Sequence, residues 1–224
     1  MTTLPFDDDL KLFALMKEQL YSAVLCDALD QVGFRQQAMR AEIRPIFPDA
    51  VVVGRALTIQ SVDVYQPEEN VYEKEIAAVD SLKPGDVMVA STNQSTRTCV
   101  WGELLSTASM ARGAYGAVID GYTRDVRLIQ KMGFPLFATG MHPVDSAGRG
   151  EVIGYNCTIN CGGVIVSPGD VIFGDYDGVI VIPKDALRAV VERAVAKVEG
   201  ENITRNELRK GATLRQVFDK YGVL

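Results

Sequence analysis

The stretch from Gly102 to Pro135 places a short apolar run between two helical patterns, and this order limits the choice of fold more than any other feature of the chain. Residues 116–121 have the length and composition of a buried strand. Helical spacing precedes this run at 103–112 and follows it at 123–132, and a glycine ends each pattern. A buried strand enclosed by helices is typical of α/β folds.

The other elements are predicted by the same criteria of spacing and flanking turn residues. Helices are predicted over 7–32, where one or two end at Gly33, over 71–81, over 185–200, and after the capping-box sequence 213–216. Strands are predicted at 51–53 and 56–59, which Gly54 separates, and at 87–90, 171–173 and 178–183. The chain is therefore predicted to be an α/β protein, with a single catalytic domain over 1–184 and a helical C-terminal tail over 185–224. The apolar stripe of this tail is expected to pack on its own body or at a subunit interface, and the interface is preferred.

Charge and hydropathy exclude several classes of function. The net charge of −6 argues against a broad nucleic-acid surface, which requires Lys and Arg to neutralise phosphates. No window reaches the roughly 18 consecutive apolar residues of a membrane span, and no membrane partner is expected. The acidic start at 7–9 is unlike a signal peptide, so a cytoplasmic location with reduced cysteines is expected. Cys157 and Cys161 lack a second ligand pair, which disfavours zinc.

Chain geometry predicts that Glu103 and Arg124 meet. The helix between them descends about 18 Å at 1.5 Å per residue, and the following strand climbs back about 20 Å. Both connections therefore end beyond the carboxyl end of the strand, where α/β proteins bind ligands. Free amides of Leu104 and Leu105 suit a carboxylate or enolate oxygen, the Arg124 fork suits a carboxylate, and Asp125 suits Mg²⁺ or Mn²⁺.

Each of these residues also has a purely structural interpretation. Acidic residues are common in a first helical turn because they interact favourably with the helix dipole, which by itself accounts for Glu103 and Asp125. His142, the single histidine, lies on a predicted loop, and its catalytic role is disfavoured. The polar loop 145–150 is interpreted as a structural turn, or as a site for an anion or for the distal carboxylate of a substrate. Two further interpretations stay open, Asp120 as a support or turn residue and Trp101 as a packing residue or pocket wall.

One spacing connects this segment to a known family. An acidic residue, twenty residues and then Arg-Asp occur here as Glu103, residues 104–123 and Arg124-Asp125. The flanking sequences at 102–105, 132–135, 174–179 and 220–224 agree with it. Through these motifs the chain resembles the 4-hydroxy-4-methyl-2-oxoglutarate / 4-carboxy-4-hydroxy-2-oxoadipate aldolases, which share their fold with the regulator of ribonuclease activity A. The resemblance extends over nearly the whole chain.

The resemblance implies a swivelling β/β/α fold and a homotrimer, sometimes doubled to a homohexamer. It implies that Arg124 and the amides after Gly102 bind the substrate, with Glu103 and Arg124 as the catalytic residues. Asp125 is then the metal ligand, largely through water. Glu199 or Glu201 of a neighbouring subunit is expected to complete the metal shell through water. Position 103 departs from the family, because characterised aldolases usually have Asp there.

Two functions follow from these features. The first is a class II, metal-dependent aldolase that cleaves 4-hydroxy-2-oxo diacids to release pyruvate and that also decarboxylates oxaloacetate. The second is a non-catalytic regulator that binds a ribonuclease. The presence of both acids and the arginine favours the enzyme, because a scaffold does not need them. A methyltransferase is rejected, because the chain has no Gly-rich nucleotide-binding turn between a strand and a helix.

Overall fold

The computed structural model describes residues 4–66 and 70–222. The helices are α1 (Asp9–Gln19), α2 (Ser22–Gln31), α3 (Glu73–Asp80), α4 (Glu103–Ala111), α5 (Val126–Met132), α6 (Leu187–Arg209) and α7 (Leu214–Tyr221). The strands are β1 (Arg44–Pro45), β2 (Val52–Asp63), β3 (Asp86–Ser91), β4 (Cys99–Trp101), β5 (Gly116–Thr123), β6 (Leu136–Met141), β7 (Gly150–Tyr155), β8 (Ile159–Cys161), β9 (Val164–Val166), β10 (Val171–Asp175) and β11 (Gly178–Ile182).

Nine of these strands form one mixed sheet. Its order is β1-β6-β5-β3-β2-β10-β11, with β4 beside β5 and β7 beside β2, while β8 and β9 form a separate hairpin. The central strands β2, β3, β5 and β6 are parallel. The sheet nearly closes on itself, because the chain entering β1 also pairs with β11, where the amide of Met39 donates to the carbonyl of Val179 at 2.8 Å. The predicted single α/β domain is confirmed.

The alternation of side chains along the parallel strands fills two separate cores. In β5, Val118 points inward and packs with Val87 and Val89 inside the closed sheet. Its neighbours Ala117 and Ile119 point outward and pack beneath α3, α4 and α5. Such a strand is buried on both faces, which explains its continuous apolar sequence. A third core lies between the other side of the sheet and helices α1, α2 and α6.

The predicted break of a strand at Gly54 is wrong. Strand β2 runs without interruption from Val52 to Asp63, and Gly54 pairs with Ile172 in its antiparallel ladder. A Cβ atom at Gly54 would lie 2.3 Å from the carbonyl oxygen of Gly85. The glycine is therefore present because another part of the backbone passes very close, which is the second common use of glycine inside a strand.

The predicted end of the tail helix at Gly200 is also wrong. Helix α6 continues through Gly200 to Arg209. Its first half is anchored by Val190, Val191 and Ala194, which are fully buried against α1 and α2 of the same chain. This packing offsets the roughly 1 kcal/mol that a glycine costs within a helix. The predicted packing of residues 185–224 at a subunit interface stays a prediction.

The last helix begins as predicted. Thr213 and Gln216 form a reciprocal capping box at the start of α7. The final two residues of the 220–224 motif lie outside the described residues. Within 4–66 and 70–222, no helix has the length and hydropathy needed to cross a membrane.

Candidate active site

Strand β4 brings the two predicted site loops together. It runs parallel to the end of β5, with Trp101 paired to Thr123, and the amide of Arg124 donates to the carbonyl of Trp101 at 3.0 Å. The hydroxyl of Thr123 donates to the same carbonyl at 3.0 Å. Gly102 and Arg124 therefore leave the sheet side by side, as the chain geometry predicts.

Asp125 connects the two helices of the site. Its backbone is in the left-handed region (φ 58°, ψ 23°), which is unusual for a residue other than glycine but is tolerated by Asp. Its carboxylate makes no capping hydrogen bond to its own helix α5. Instead, Oδ2 accepts from the amide of Glu103 at 3.1 Å. The position of Asp125 is therefore not explained by helix capping, because its side chain faces the start of α4.

Gly102 leaves room for this arrangement. A Cβ atom on Gly102 would lie 2.8 Å from Oδ2 of Asp125 and 3.3 Å from Nε of Arg124. The backbone of Gly102 is extended (φ −151°, ψ −170°), a conformation that any residue adopts. Glycine is thus required for space and not for its backbone freedom.

The guanidinium of Arg124 lies between two carboxylates. Its Nε is 3.7 Å from Oδ2 of Asp125, and its Nη1 is 3.2 Å from Oδ1 of Asp145. About a third of the side chain is exposed. A planar guanidinium that is held from two sides and still open to solvent is well placed to bind a carboxylate with two parallel hydrogen bonds.

Helix α4 directs its first turn at the same place. Glu103 is its first residue, and Oε1 of Glu103 accepts a hydrogen bond from the hydroxyl of Thr107 at 2.8 Å. The amides of Leu104 and Leu105 follow in the first turn, where an α-helix provides no acceptor for them. These amides and the helix dipole favour an anion beside Arg124.

These residues line a cleft of about 330 Å³. The cleft brings together all six predicted site residues of the central segment, Gly102, Glu103, Leu104, Leu105, Arg124 and Asp125. Further lining comes from Tyr72, Glu75, Ile76, Cys99, Val100, Trp101, Asp145 and Ser146. Trp101 is fully buried, stacks on Phe134 and donates to Ser106 Oγ at 2.9 Å, so it both packs and forms part of the wall.

Glu75 is the main residue that the sequence analysis missed. It lies on the buried side of α3 and is only 7% exposed. The pKa of Glu75 is raised to about 7, mainly by burial and also by the charge of Asp145, while Arg124 opposes the shift. A signal was present in the sequence, because Glu75 precedes Ala78, Val79 and Leu82 at the spacing of a buried helical stripe.

The 145–150 loop contributes an acid to the cleft. Asp145 faces Arg124, and its Oδ2 accepts a hydrogen bond from the hydroxyl of Tyr72 at 3.0 Å. The cationic side chain of the loop, Arg149, instead donates to the loop's own carbonyls at Asp145 and Ala147, at 3.4 Å each. The anion-site interpretation of this loop therefore gains no support from its arginine.

Two other candidate residues lie outside the cleft lining. His142 packs edge-on against Tyr122, with 6.0 Å between the ring centroids. Asp120 is buried, and its Oδ1 accepts from both the amide and the hydroxyl of Thr92. Asp120 thus holds the chain after β3 and has a structural role.

The C-terminal acids differ in their surroundings. Glu201 accepts a hydrogen bond from the hydroxyl of Tyr21 and lies 3.9 Å from Lys197 and 3.7 Å from Arg205. Glu199 is exposed on the same helix. Glu201 is therefore already engaged within its own chain, whereas the carboxylate of Glu199 faces solvent.

The donor atoms of the cleft suit a hard cation that retains water. Among the described residues, no group of three or more His, Cys, Asp or Glu side chains is arranged to hold a metal ion, and this includes Cys157 and Cys161. The cleft lining does include the carboxylates of Asp125 and Glu103, and Asp125 is two-fifths exposed. Mg²⁺ is commonly held by one or two carboxylates and several waters, so this set fits a water-rich site and not a cage.

Comparison with known proteins agrees with this geometry. The sequence model of a family described as RraA-like (Aldolase/RraA) matches residues 22–181. The chain belongs to the RraA-like family. The family resemblance predicted from the Glu103 to Asp125 spacing is thereby confirmed, and the matched segment contains the whole cleft.

Several RraA-like relatives are similar at moderate identity. Protein DlpA of Legionella pneumophila is 31% identical over 203 residues, which is 89% of this chain but 32% of DlpA. The chain thus spans about a third of the length of that relative. A Halalkalibacterium halodurans protein is 33% identical over 175 residues, 77% of each chain, and carries the provisional name 4-hydroxy-4-methyl-2-oxoglutarate aldolase.

Solved structures of this family have the same fold. Streptomyces coelicolor RraAS2, described as an unusual member of the RNase ES inhibitor RraA family, superposes with a TM-score of 0.80 at 27% identity, covering 88% of this chain and 98% of its own. An uncharacterised Pseudomonas syringae protein superposes with a TM-score of 0.79 at 28% identity, covering 92% and 95%.

Proposed function

We propose that this protein is a divalent-metal-dependent lyase that cleaves a 4-hydroxy-2-oxo acid by a retro-aldol reaction and releases pyruvate. The observation that carries the proposal is the convergence of the Arg124 guanidinium, the free amides of Leu104 and Leu105 and the Asp125 carboxylate in one cleft. These are the groups that a 2-oxo acid needs, since its carboxylate and its carbonyl oxygen both carry negative charge in the transition state.

Arg124 binds the C1 carboxylate of the substrate through its fork, and the amides of Leu104 and Leu105 hold the oxygens beside it. Asp125 would hold Mg²⁺ or Mn²⁺, largely through water, and Glu199 of a neighbouring subunit would complete the shell through water. Glu199 is preferred over Glu201 because Glu201 is already bonded to Tyr21. When bound, the metal supplies Lewis-acid polarisation of the 2-oxo group. This division of roles requires the predicted homotrimer or hexamer.

The chemical step breaks the bond between C3 and C4. Its electron pair moves to the C2 carbonyl and forms the enolate of pyruvate, while C4 becomes a carbonyl carbon. A water held by Glu103 takes the proton of the 4-hydroxyl and returns a proton to C3, which gives pyruvate. Loss of CO₂ from oxaloacetate produces the same enolate, so we expect oxaloacetate decarboxylation as well.

The resemblance predicts a diacid as the substrate, whereas the reaction itself needs only the 4-hydroxy-2-oxo unit. We would therefore measure pyruvate release from oxaloacetate, 4-hydroxy-4-methyl-2-oxoglutarate and 4,5-dihydroxy-2-oxopentanoate, with Mg²⁺ and then with a chelator. Asp125→Asn is expected to lower the metal-dependent rate at least about 100-fold. Asp49→Asn, at an exposed aspartate far along the chain from the cleft residues, is the matched control.

The proposal fails if none of the three substrates releases pyruvate above a metal-free background. It also fails if Asp125→Asn and Asp49→Asn behave alike. Capture of a ribonuclease by the purified protein in the absence of any turnover would favour the regulator instead, which is the role named for the family of RraAS2.

A further inference from the structure

Glu75 is a buried acid that is open to the cleft. It is 7% exposed, and within residues 4–66 and 70–222 no side-chain or backbone donor makes a hydrogen bond to its carboxyl group. The oxygens of this carboxyl group are not among the described fully buried side-chain atoms that lack a partner, and the group lines the cleft. A ligand bound in the cleft can therefore exchange a hydrogen bond with Glu75.

The charges of the cleft lining are strongly unequal. Four lining residues are acidic, namely Glu75, Glu103, Asp125 and Asp145, and the one cation among the described lining residues is Arg124. In the proposed function, Arg124 binds the C1 carboxylate, and it already faces Asp145 at 3.2 Å. A second carboxylate of the substrate would therefore share the cleft with several acidic side chains, and the described lining residues supply no second cationic side chain for it.

The side chains on the α3 side of the cleft are suited to hydroxyl groups. Tyr72 donates its hydroxyl to Asp145, Ser146 lies beside it, and Glu75 completes this part of the wall. Carboxyl and hydroxyl side chains can each donate to or accept from an alcohol. The exposed Ile76 on the same helix adds an apolar contact for a carbon chain.

We propose that the α3 side of the cleft selects 2-oxo acids whose distal end carries a hydroxyl group in place of a second carboxylate, and that Glu75 contacts this hydroxyl. The inference rests on the proposed function, because it takes the position of Arg124 as the C1 carboxylate site. The expected substrate is then a polyhydroxy 2-oxo acid with a single carboxylate, and not the diacid that the family resemblance predicts.

The protonation of Glu75 adds a pH dependence to this selection. Its pKa is raised to about 7 by burial first and by Asp145 second, against the opposing effect of Arg124. Tyr72 lies nearby with a pKa that burial also raises, so it stays neutral. Among the described residues, no charged group of β2, β7 or α4 contributes to the shift of Glu75. Ionised Glu75 repels a distal carboxylate, so diacid affinity should fall between pH 6 and pH 8.

The test uses two ligands that cannot be cleaved, because both lack the 4-hydroxyl group. These are 2-oxoglutarate and 5-hydroxy-2-oxopentanoate, which differ only in having a carboxylate or a CH₂OH group at C5. Their dissociation constants are measured by titration calorimetry with saturating Mg²⁺ at pH 6 and pH 8. The proteins are the wild type, Glu75→Gln, and the control Glu73→Gln, an exposed glutamate on the same helix.

We expect the wild type to bind the hydroxyl ligand at least about tenfold more tightly than the diacid at pH 8, which corresponds to 1.4 kcal/mol. Diacid affinity should fall several-fold from pH 6 to pH 8. Glu75→Gln should remove most of both differences, whereas Glu73→Gln should retain them.

Equal or tighter binding of the diacid by the wild type at pH 8 overturns the inference, and this comparison needs no variant. An unchanged ligand ratio in folded Glu75→Gln overturns the role of Glu75. If neither ligand binds, the C1 carboxylate site itself is contradicted, and the proposed function and the inference fail together. If the hydroxyl ligand is preferred but no substrate is cleaved, the inference stands and the lyase proposal fails alone.

Discussion

Gly102 and Asp125 are packed so closely that a methyl group on Gly102 would lie 2.8 Å from Oδ2 of Asp125. The same carboxylate oxygen accepts the amide of Glu103 at 3.1 Å. Asp125 thus shares one small volume with two adjacent residues that precede it by more than twenty positions. Any side chain at position 102 must displace the Asp125 carboxylate from the place where a metal ligand is proposed.

We therefore expect Gly102→Ala to lower kcat/KM for pyruvate release about 10- to 100-fold, because a shift of this size misaligns the reacting groups. The melting temperature should change little, since the cleft is partly open to solvent. Gly154→Ala is the control, because a methyl there would meet nothing nearer than Sγ of Cys157 at 3.6 Å. Normal activity of Gly102→Ala would contradict the importance of this contact.

Arg124→Lys should raise KM at least about tenfold, because an ammonium group has no planar fork for the C1 carboxylate. The variant should fold normally, since a third of the Arg124 side chain is exposed. Steady-state kinetics would be compared with Arg149→Lys, which changes an exposed arginine that bonds only to loop carbonyls. Equal KM values in the two variants would argue against a substrate role for Arg124.

Substitutions at Glu103 distinguish the effect of its negative charge on activity from the effect of its side-chain length. Glu103→Gln should lower kcat about 100-fold if the carboxylate positions the proton-carrying water. Glu103→Asp retains the charge but loses the 2.8 Å contact with Thr107, so a smaller loss is expected. Thr107→Val, which removes only that contact, is the matched control. A change confined to KM would instead assign Glu103 to substrate binding.

Glu75 should make the stability of the fold depend on pH. Its pKa is about 7 in the folded protein and 4.5 in the reference state, so the folded state binds the proton more tightly. Stability is therefore greatest below about pH 4.5 with respect to this group, falls as the pH rises to about 7, and stays reduced above it. The loss is on the order of 3 kcal/mol, at 1.36 kcal/mol per pKa unit.

The measurement is urea unfolding of the wild type and Glu75→Gln at pH 5 and pH 8. The two proteins should be similarly stable at pH 5, where Glu75 is mostly protonated, and Glu75→Gln should be the more stable one at pH 8. A stability difference that is the same at both pH values would show that Glu75 does not titrate in this range.

The central helix-strand-helix unit was predictable because its signals are local. The apolar run 116–121 and the helical spacing on either side of it follow from the periodicity of each element. The rise per residue then predicted that Glu103 and Arg124 come together, and the amide of Glu103 does donate to the carboxylate of the adjoining Asp125. The spacing from Glu103 to Arg124-Asp125 also carried the family, which the match over 22–181 confirms.

Tertiary structure decided what lies opposite that unit. Tyr72 and Asp145 are 73 residues apart in sequence, and only the tertiary fold brings their side chains into contact. The reason for a glycine at position 54 lies in a distant part of the chain, because a Cβ atom there would be 2.3 Å from the carbonyl oxygen of Gly85. The sequence does not show this approach, so Gly54 by itself predicts a strand break. The pKa of Glu75 likewise depends on burial by distant groups. Periodicity reports which face of an element is covered, but the identity of the covering residue, and hence its charge, is set by packing.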